Sequence, residues 1–253
     1  MTKKTFFYNL IYVLSGVVLI VLLWTVLCAV QGKPLLFPSV GEIVGEMFNL
    51  LGSASFYGAT SSTLLRCVIA YVTAVVLAFA LVLAVSVFPV AGKLIAPFIA
   101  LLRSFPTMSV ILIAMVWLSS VSSPVLVGFL IAFPLLYGNL LGKVNEVSAE
   151  LTDMCNVYKV SKRRRVIALY IPTMLPETLK QTGTVFPVTL KVVIAGEVLA
   201  YTSGSVGLEM FSAKLDVNIA LLLAWSIFAV LTGYLIKLAV DIAVKISEKA
   251  KCK

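Results

Sequence analysis

The sequence predicts an all-α membrane protein with about six transmembrane helices, a short interfacial helix and a cytoplasmic helix–turn–helix loop. Three observations predict it. Of the 253 residues, 61% are hydrophobic and 12% charged, whereas soluble domains run near 45–50% and ~25%. The apolar residues come in runs of about 20, the length a helix needs to cross ~30 Å of hydrocarbon. Lys and Arg crowd onto alternate connections between those runs, as the positive-inside bias requires.

The first run, 11–30, follows Lys3 and Lys4. It is too long for a signal-peptide core and is followed by Gln31, Gly32, Lys33 and Pro34 rather than a small-residue cleavage site, so a retained span is expected. Pro38-Ser39 then opens a short segment, Val40–Leu51, with Glu42 and Glu46 on one face and Ile43, Val44, Met47 and Leu50 largely on the other. Such a helix lies in the interface because it is too short and too acidic to cross. Further spans are expected over 62–88, 94–118, 124–141, 181–201 and 218–246, each bounded by Gly, Pro, Ser or charge. The chain divides accordingly into 1–54, an N-terminal transmembrane helix with the interfacial helix, and 55–253, a core of the remaining spans whose loop occupies 143–180.

Six spans put both termini on one side. That side carries Lys3, Lys4, Lys93, Lys143, the cluster from Lys159 to Arg165, Lys180 and the lysines from Lys245 onward; the other carries Lys33 and Lys214. Both termini and the 143–180 segment are therefore expected in the cytoplasm. The formal charge of +9 follows from this bias, with no basic, aromatic-interleaved soluble patch to suggest nucleic acid.

Chemistry is mostly excluded. The chain has no His, the commonest metal ligand and general base. Cys28, Cys67, Cys155 and Cys252 show no metal spacing and read as small buried hydrophobes, although Cys28 and Cys67 fall near the same ends of their spans. No Walker-type phosphate loop and no nucleophile elbow is present, so no cofactor, metal or catalytic group is expected on this chain, and any ATP would be bound by another.

Within the spans, Lys191 and Glu197 stand out. Lys191 falls near the bilayer midplane, where a charge costs ~2.5–3.5 kcal/mol on insertion scales. Glu197 lies roughly 9 Å further along the axis and ~120° around it, too far for a close pair on one helix. Each is expected to meet a partner on another helix or to line a solute path. Arg66 and Arg103 lie near the interfaces and read as snorkelling anchors, with Arg103 also a candidate for the path. Lys237 and Asp241, four apart, read as a local ion pair.

The 143–180 segment reads as helix (144–158), basic turn (159–165) and a second helix ending at Ile171-Pro172. Too small to fold alone, it must dock on something. The cluster Lys162 to Arg165 serves either as a topology signal and headgroup anchor or as a contact for that partner.

In this segment the chain resembles the permease subunits of bacterial ATP-binding-cassette (ABC) importers, whose coupling loop reads Glu-Ala-Ala, three residues, Gly, about nine residues, then Ile-x-Leu-Pro. Here Asp153-Met154-Cys155 is followed after three residues by Lys159, and later by Ile171 and Thr173-Met174-Leu175-Pro176. Lys159 replaces a glycine that would take a left-handed turn without steric cost, so a strained or differently shaped turn is expected. The nitrate/sulfonate/taurine-type subgroup is similar to this chain at Pro38-Ser39-Val40-Gly41-Glu42, at Leu64 to Val68, at Leu102 to Pro106, at Gly196-Glu197-Val198-Leu199 and at Ser205-Val206-Gly207-Leu208.

The resemblance implies a permease homodimer in the inner membrane, a pair of cytoplasmic ATP-binding subunits gripping Asp153, Met154, Cys155, Lys159, Ile171, Leu175 and Pro176, and an external solute-binding protein. ATP hydrolysis would then belong to a separate chain, with membrane lipid as the remaining partner. Lys191 in the path suits an anion such as a sulfonate, nitrate or carboxylate, although the subgroup also includes importers of vitamin precursors. Two other classes stay open: a self-contained transporter using Lys191 and Glu197 as coupling charges, and a membrane-embedded enzyme or anchor. Against the first stands the lack of an inverted repeat with paired broken helices.

Overall fold

The computed structural model describes residues 3–33, 35–147 and 149–251, and all of its regular structure is helical. Pro34, Cys252 and Lys253 lie outside the described residues. Helix α1 runs Lys3–Gln31, with its described apolar stretch at Ser15–Gln31. It meets the rest of the protein at the Pro38 corner, where Trp24 Nε1 donates to the Pro38 carbonyl at 3.0 Å. Helix α2 spans Val40–Leu51, as expected, because Ser39 and Glu42 form a reciprocal capping box: Ser39 Oγ accepts from the Glu42 amide at 3.3 Å and the Ser39 amide donates to Glu42 Oε2 at 2.8 Å.

The bundle is built on α3 (Ala54–Val87), α6 (Ser123–Asn145), α9 (Ile171–Ala200) and α11 (Ile219–Lys251). Helices in lipid gain no hydrophobic drive from meeting one another, so they associate through small residues that allow close approach. On α3, Ala70, Ala74 and Ala78 are fully buried in a row of four-residue spacing. Gly128 of α6 sits at the contact of three helices: a Cβ there would stand 2.7 Å from Val193 Cγ2 on α9 and 3.1 Å from Ala70 Cβ on α3. Tyr71 locks α3 to α9 by donating to Thr182 Oγ1 at 2.9 Å while its ring meets Phe186 edge-on. Phe56 packs α3 on α11 against Trp225 and Phe228. The interfacial α2 crosses α11, where Asn218 Nδ2 donates to Glu46 Oε1 at 3.2 Å.

Among the described residues four helices are long and apolar enough to cross a membrane, and a bent pair makes a fifth candidate. That pair corrects the continuous span expected over 94–118. Helix α4 (Pro89–Ser104) and α5 (Thr107–Trp117) meet at 98°. Pro106 forces its predecessor out of the helical region, and both Phe105 (ψ 128°) and Pro106 (ψ 125°) are extended, so the chain turns a corner inside the stretch expected as one span.

The second correction concerns 143–180. Helix α6 carries on to Asn145, and α7 covers Ala149–Val157. The basic stretch expected as a turn is helical from Lys162: α8 (Lys162–Arg165) leads through a wide π-turn (Val166–Tyr170) into α9, making one helix over Lys162–Ala200. Ile171-Pro172 does not end a helix. A proline ring presses on the carbonyl four residues back, and the wider π-turn, with the Ile171 amide donating to the Val166 carbonyl, opens the backbone at that place. Two smaller expectations also fail. Lys237 and Asp241 form no ion pair, the ion pairs among the described residues being Arg66–Glu197 and Lys143–Glu146. Arg66 is therefore not simply an interfacial anchor, since one of its donors is held by Glu197. Cys28, Cys67 and Cys155 are free thiols.

Candidate functional site

The carboxylate of Glu197, near the end of α9, has no exposed surface at all and accepts three hydrogen bonds from described residues. Its Oε1 accepts from Arg66 Nη1 of α3 at 2.9 Å; its Oε2 accepts from Thr63 Oγ1 at 2.9 Å and from the Gly207 amide at 3.2 Å. Gly207 is the second residue of α10 (Val206–Leu215), so the carboxylate also faces the positive end of that helix. Thr63 Oγ1 in turn accepts from the Val206 amide at 3.0 Å. A buried charge needs this degree of satisfaction to be tolerated. The connection from α9 to α10 is shaped for it: Tyr201 is left-handed (φ 49°), Gly204 has φ 60°, and Thr202 Oγ1 donates to the Ser120 carbonyl at 2.6 Å.

Sequence reasoning found Glu197 but missed Arg66 and Thr63 as its partners. The signal was present in pieces, since the segments Leu64 to Val68, Gly196 to Leu199 and Ser205 to Leu208, each noted separately, come together in this one cluster.

Lys191 is placed differently. Its side chain is exposed, about 14 Å along the axis from Ala200, and it makes no hydrogen bond or ion pair with any described residue. It tops a stripe on one face of α9 that includes the exposed Thr184 and Val188. Polar side chains extend that stripe sideways: Asn139 Nδ2 of α6 donates to Gln181 Oε1, and Gln181 Nε2 donates to Glu177 Oε1, both at 2.6 Å. The exposed faces of α3 and α11, by contrast, are predominantly aliphatic and aromatic. Lys191 and Glu197 are thus not brought together. Arg103, at the end of α4, donates to the Pro134 carbonyl of α6 at 2.8 Å, its guanidinium filling the space a Cβ on Gly138 would need.

At the other end of the long helix, Asp153 and Met154 of α7 are exposed and Cys155 is half-buried. The turn after α7 keeps the left-handed shape with a side chain present: Lys159 has φ 50°. Arg165 braces it, donating through Nε to the Val160 carbonyl at 3.1 Å and through Nη2 to the Cys155 carbonyl at 2.9 Å. Arg165 therefore has a local duty that composition did not reveal, while Arg163 and Arg164 stay exposed. Beyond the turn Ile171 and Pro176 are half-buried and Leu175 is exposed. No group of His, Cys, Asp and Glu suited to a metal occurs among the described residues.

Among curated proteins none matches the chain significantly. Residues 76–251 match the family described as the inner membrane component of binding-protein-dependent transport systems. That stretch takes in the bent pair, the α7 turn, the long helix and the Glu197–Gly207 side of the cluster, with Thr63 and Arg66 lying before it, and covers well over half of the sequence. The chain belongs to this family: it is an inner membrane permease component of an ABC transporter, crossing the membrane several times.

Proposed function

We infer that the chain is the permease subunit of an ATP-driven importer for a small organic or inorganic anion, working as a pair of identical copies whose α9 stripes face each other across the path. The observation that carries this reading is Lys191. A mid-span ammonium with no partner among the described residues would face lipid at a cost of ~2.5–3.5 kcal/mol, so its side of α9 belongs against water or passing solute. Family membership implies ATPase subunits and a solute-binding protein as associates. The exposed Asp153 and Met154, the Lys159 turn and Leu175 supply a surface for the ATPase at the base of the same helix that carries Lys191. With both termini and this surface in the cytoplasm, the solute-binding protein docks on the opposite side, and ATP-driven closure shifts the population between inward-open and outward-open bundles.

A self-contained ion-coupled transporter would need Glu197 free to take up a cation, and that carboxylate is already bonded to Arg66, Thr63 and Gly207. The test is to purify the chain with its candidate ATPase and assay uptake of a sulfonate or nitrate in proteoliposomes. Copurification lost on altering Asp153 or the Leu175-Pro176 pair, with uptake dependent on ATP, supports the reading. Uptake that persists without any ATPase sinks it.

A further inference from the structure

A groove of about 630 Å³ runs between α3 and α6 on the flank bearing Arg66. Its chemistry is graded along its length. At the end where both helices begin lie Ser62, Arg66 and Ser122; further along both helices lie Ile69, Leu126 and Phe129. Thr73, also in the deeper part, spends its hydroxyl on the Ile69 and Ala70 carbonyls, which leaves its methyl for the groove. The polar groups therefore sit at one end instead of converging from several sides, as they do in pockets that select a small solute.

Depth matches this grading. Helix α3 has 34 residues, about 51 Å, so it overhangs a ~30 Å hydrocarbon layer by roughly 10 Å at each end. Arg66 lies ~18 Å from the start of the helix, hence about 8 Å inside the boundary, within the reach of an arginine side chain to the headgroups. A guanidinium has five N–H donors. Arg66 uses one on Glu197 at 2.9 Å and one on the Ser203 carbonyl at a long 3.5 Å. Three donors remain, and the side chain, 12% exposed, lines the groove. Glu197 has already balanced the charge of Arg66, so the site as a whole is neutral.

We propose that this groove binds one phospholipid with a zwitterionic headgroup, its phosphodiester on the Arg66 guanidinium and one acyl chain along Ile69, Leu126 and Phe129. A neutral ion pair with spare donors fits a phosphate that carries its own ammonium; a net anionic headgroup brings a charge that Glu197 opposes. The proposal goes beyond the transport reading and does not depend on an ATPase or a second copy.

Native mass spectrometry of the full chain, with equal amounts of phosphatidylethanolamine and phosphatidylglycerol added, tests it. The ethanolamine lipid is expected to be retained in preference. Ile69→Trp fills the groove without touching Arg66 or Glu197 and is expected to lower that retention about tenfold, the equivalent of losing contact with a few methylenes. Leu235→Trp, on an exposed part of α11, leaves it unchanged, and thermal midpoints confirm that both variants fold. Retention of the glycerol lipid at or above the ethanolamine lipid, equal retention by Ile69→Trp, or no phospholipid adduct on the wild type overturns the proposal. So does displacement of the bound lipid by a soluble anion such as methanesulfonate.

Discussion

Glu197 and Gly207 are in backbone-to-carboxylate contact across the junction of α9 and α10: the Gly207 amide donates to Glu197 Oε2 at 3.2 Å, and a Cβ on Gly207 would stand 2.4 Å from Glu197 Cβ. The same Cβ would also meet the Val198 nitrogen at 2.7 Å and the Ile194 carbonyl at 2.8 Å. Two of these obstacles are backbone, which cannot swing aside. Gly207→Ala is expected to cost about 1–3 kcal/mol or more through overpacking, read as a lowered thermal midpoint in detergent. Gly58→Ala, at a position with open space, serves as the comparison and stays at or above the wild-type midpoint.

The ion pair predicts a compensation pattern. Arg66→Met strands the Glu197 carboxylate in a place with no water, a change worth roughly 3–5 kcal/mol when a buried pair is broken from one side. Arg66 keeps 12% of its side chain exposed toward the groove, so the lower part of that range is expected. Combining Arg66→Met with Glu197→Gln should recover much of the loss, because the neutral amide still accepts from Thr63 and Gly207. Equal midpoints for the single and double variants would show that the pair is not coupled.

Lys159 adopts a conformation that costs a non-glycine residue roughly 1–2 kcal/mol. Lys159→Gly removes that strain at the expense of a freer unfolded chain and is expected to protect the turn from chymotrypsin at the exposed Tyr158 as well as wild type or slightly better. Lys159→Val, β-branched at positive φ, should speed cleavage there. Arg165→Met should do the same by releasing the Val160 and Cys155 carbonyls.

Lys191 separates stability from transport. It has no partner among the described residues, so Lys191→Met should leave the thermal midpoint unchanged or raise it. Uptake of an anionic solute should fall about tenfold or more, the scale of one lost hydrogen bond to a charged group. Unchanged uptake would remove Lys191 from the path.

What was legible in the sequence was local. Helix α2 followed from Ser39, Glu42 and the apolar spacing behind them, because a capping box acts across three residues. Four of the six expected spans, α3, α6, α9 and α11, followed from run length, whereas 94–118 became a bent pair and the described apolar part of α1 is shorter. The partner of Arg66 was missed because it lies 131 residues away, and no local rule tells which interfacial arginine is also held by a buried carboxylate. The continuous helix through Pro172 and Pro176 was misread for a related reason: in lipid an unsatisfied backbone is costlier than an irregular turn, so the chain keeps its helix and absorbs the proline in a π-turn. The corner at Phe105-Pro106 is the opposite outcome from the same residue type, and nothing in the flanking residues announced which would prevail.

The uninterrupted run from Lys162 to Ala200 has a mechanical consequence. Its 39 residues make a rod of about 58 Å, anchored at one end by the Glu197 cluster and carrying the braced Lys159 turn at the other. A rotation of one degree about the clamped end displaces the free end by about 1 Å over that length, so small angular changes at the base correspond to ångström-scale travel, and the rod's stiffness sets how much of that motion is transmitted.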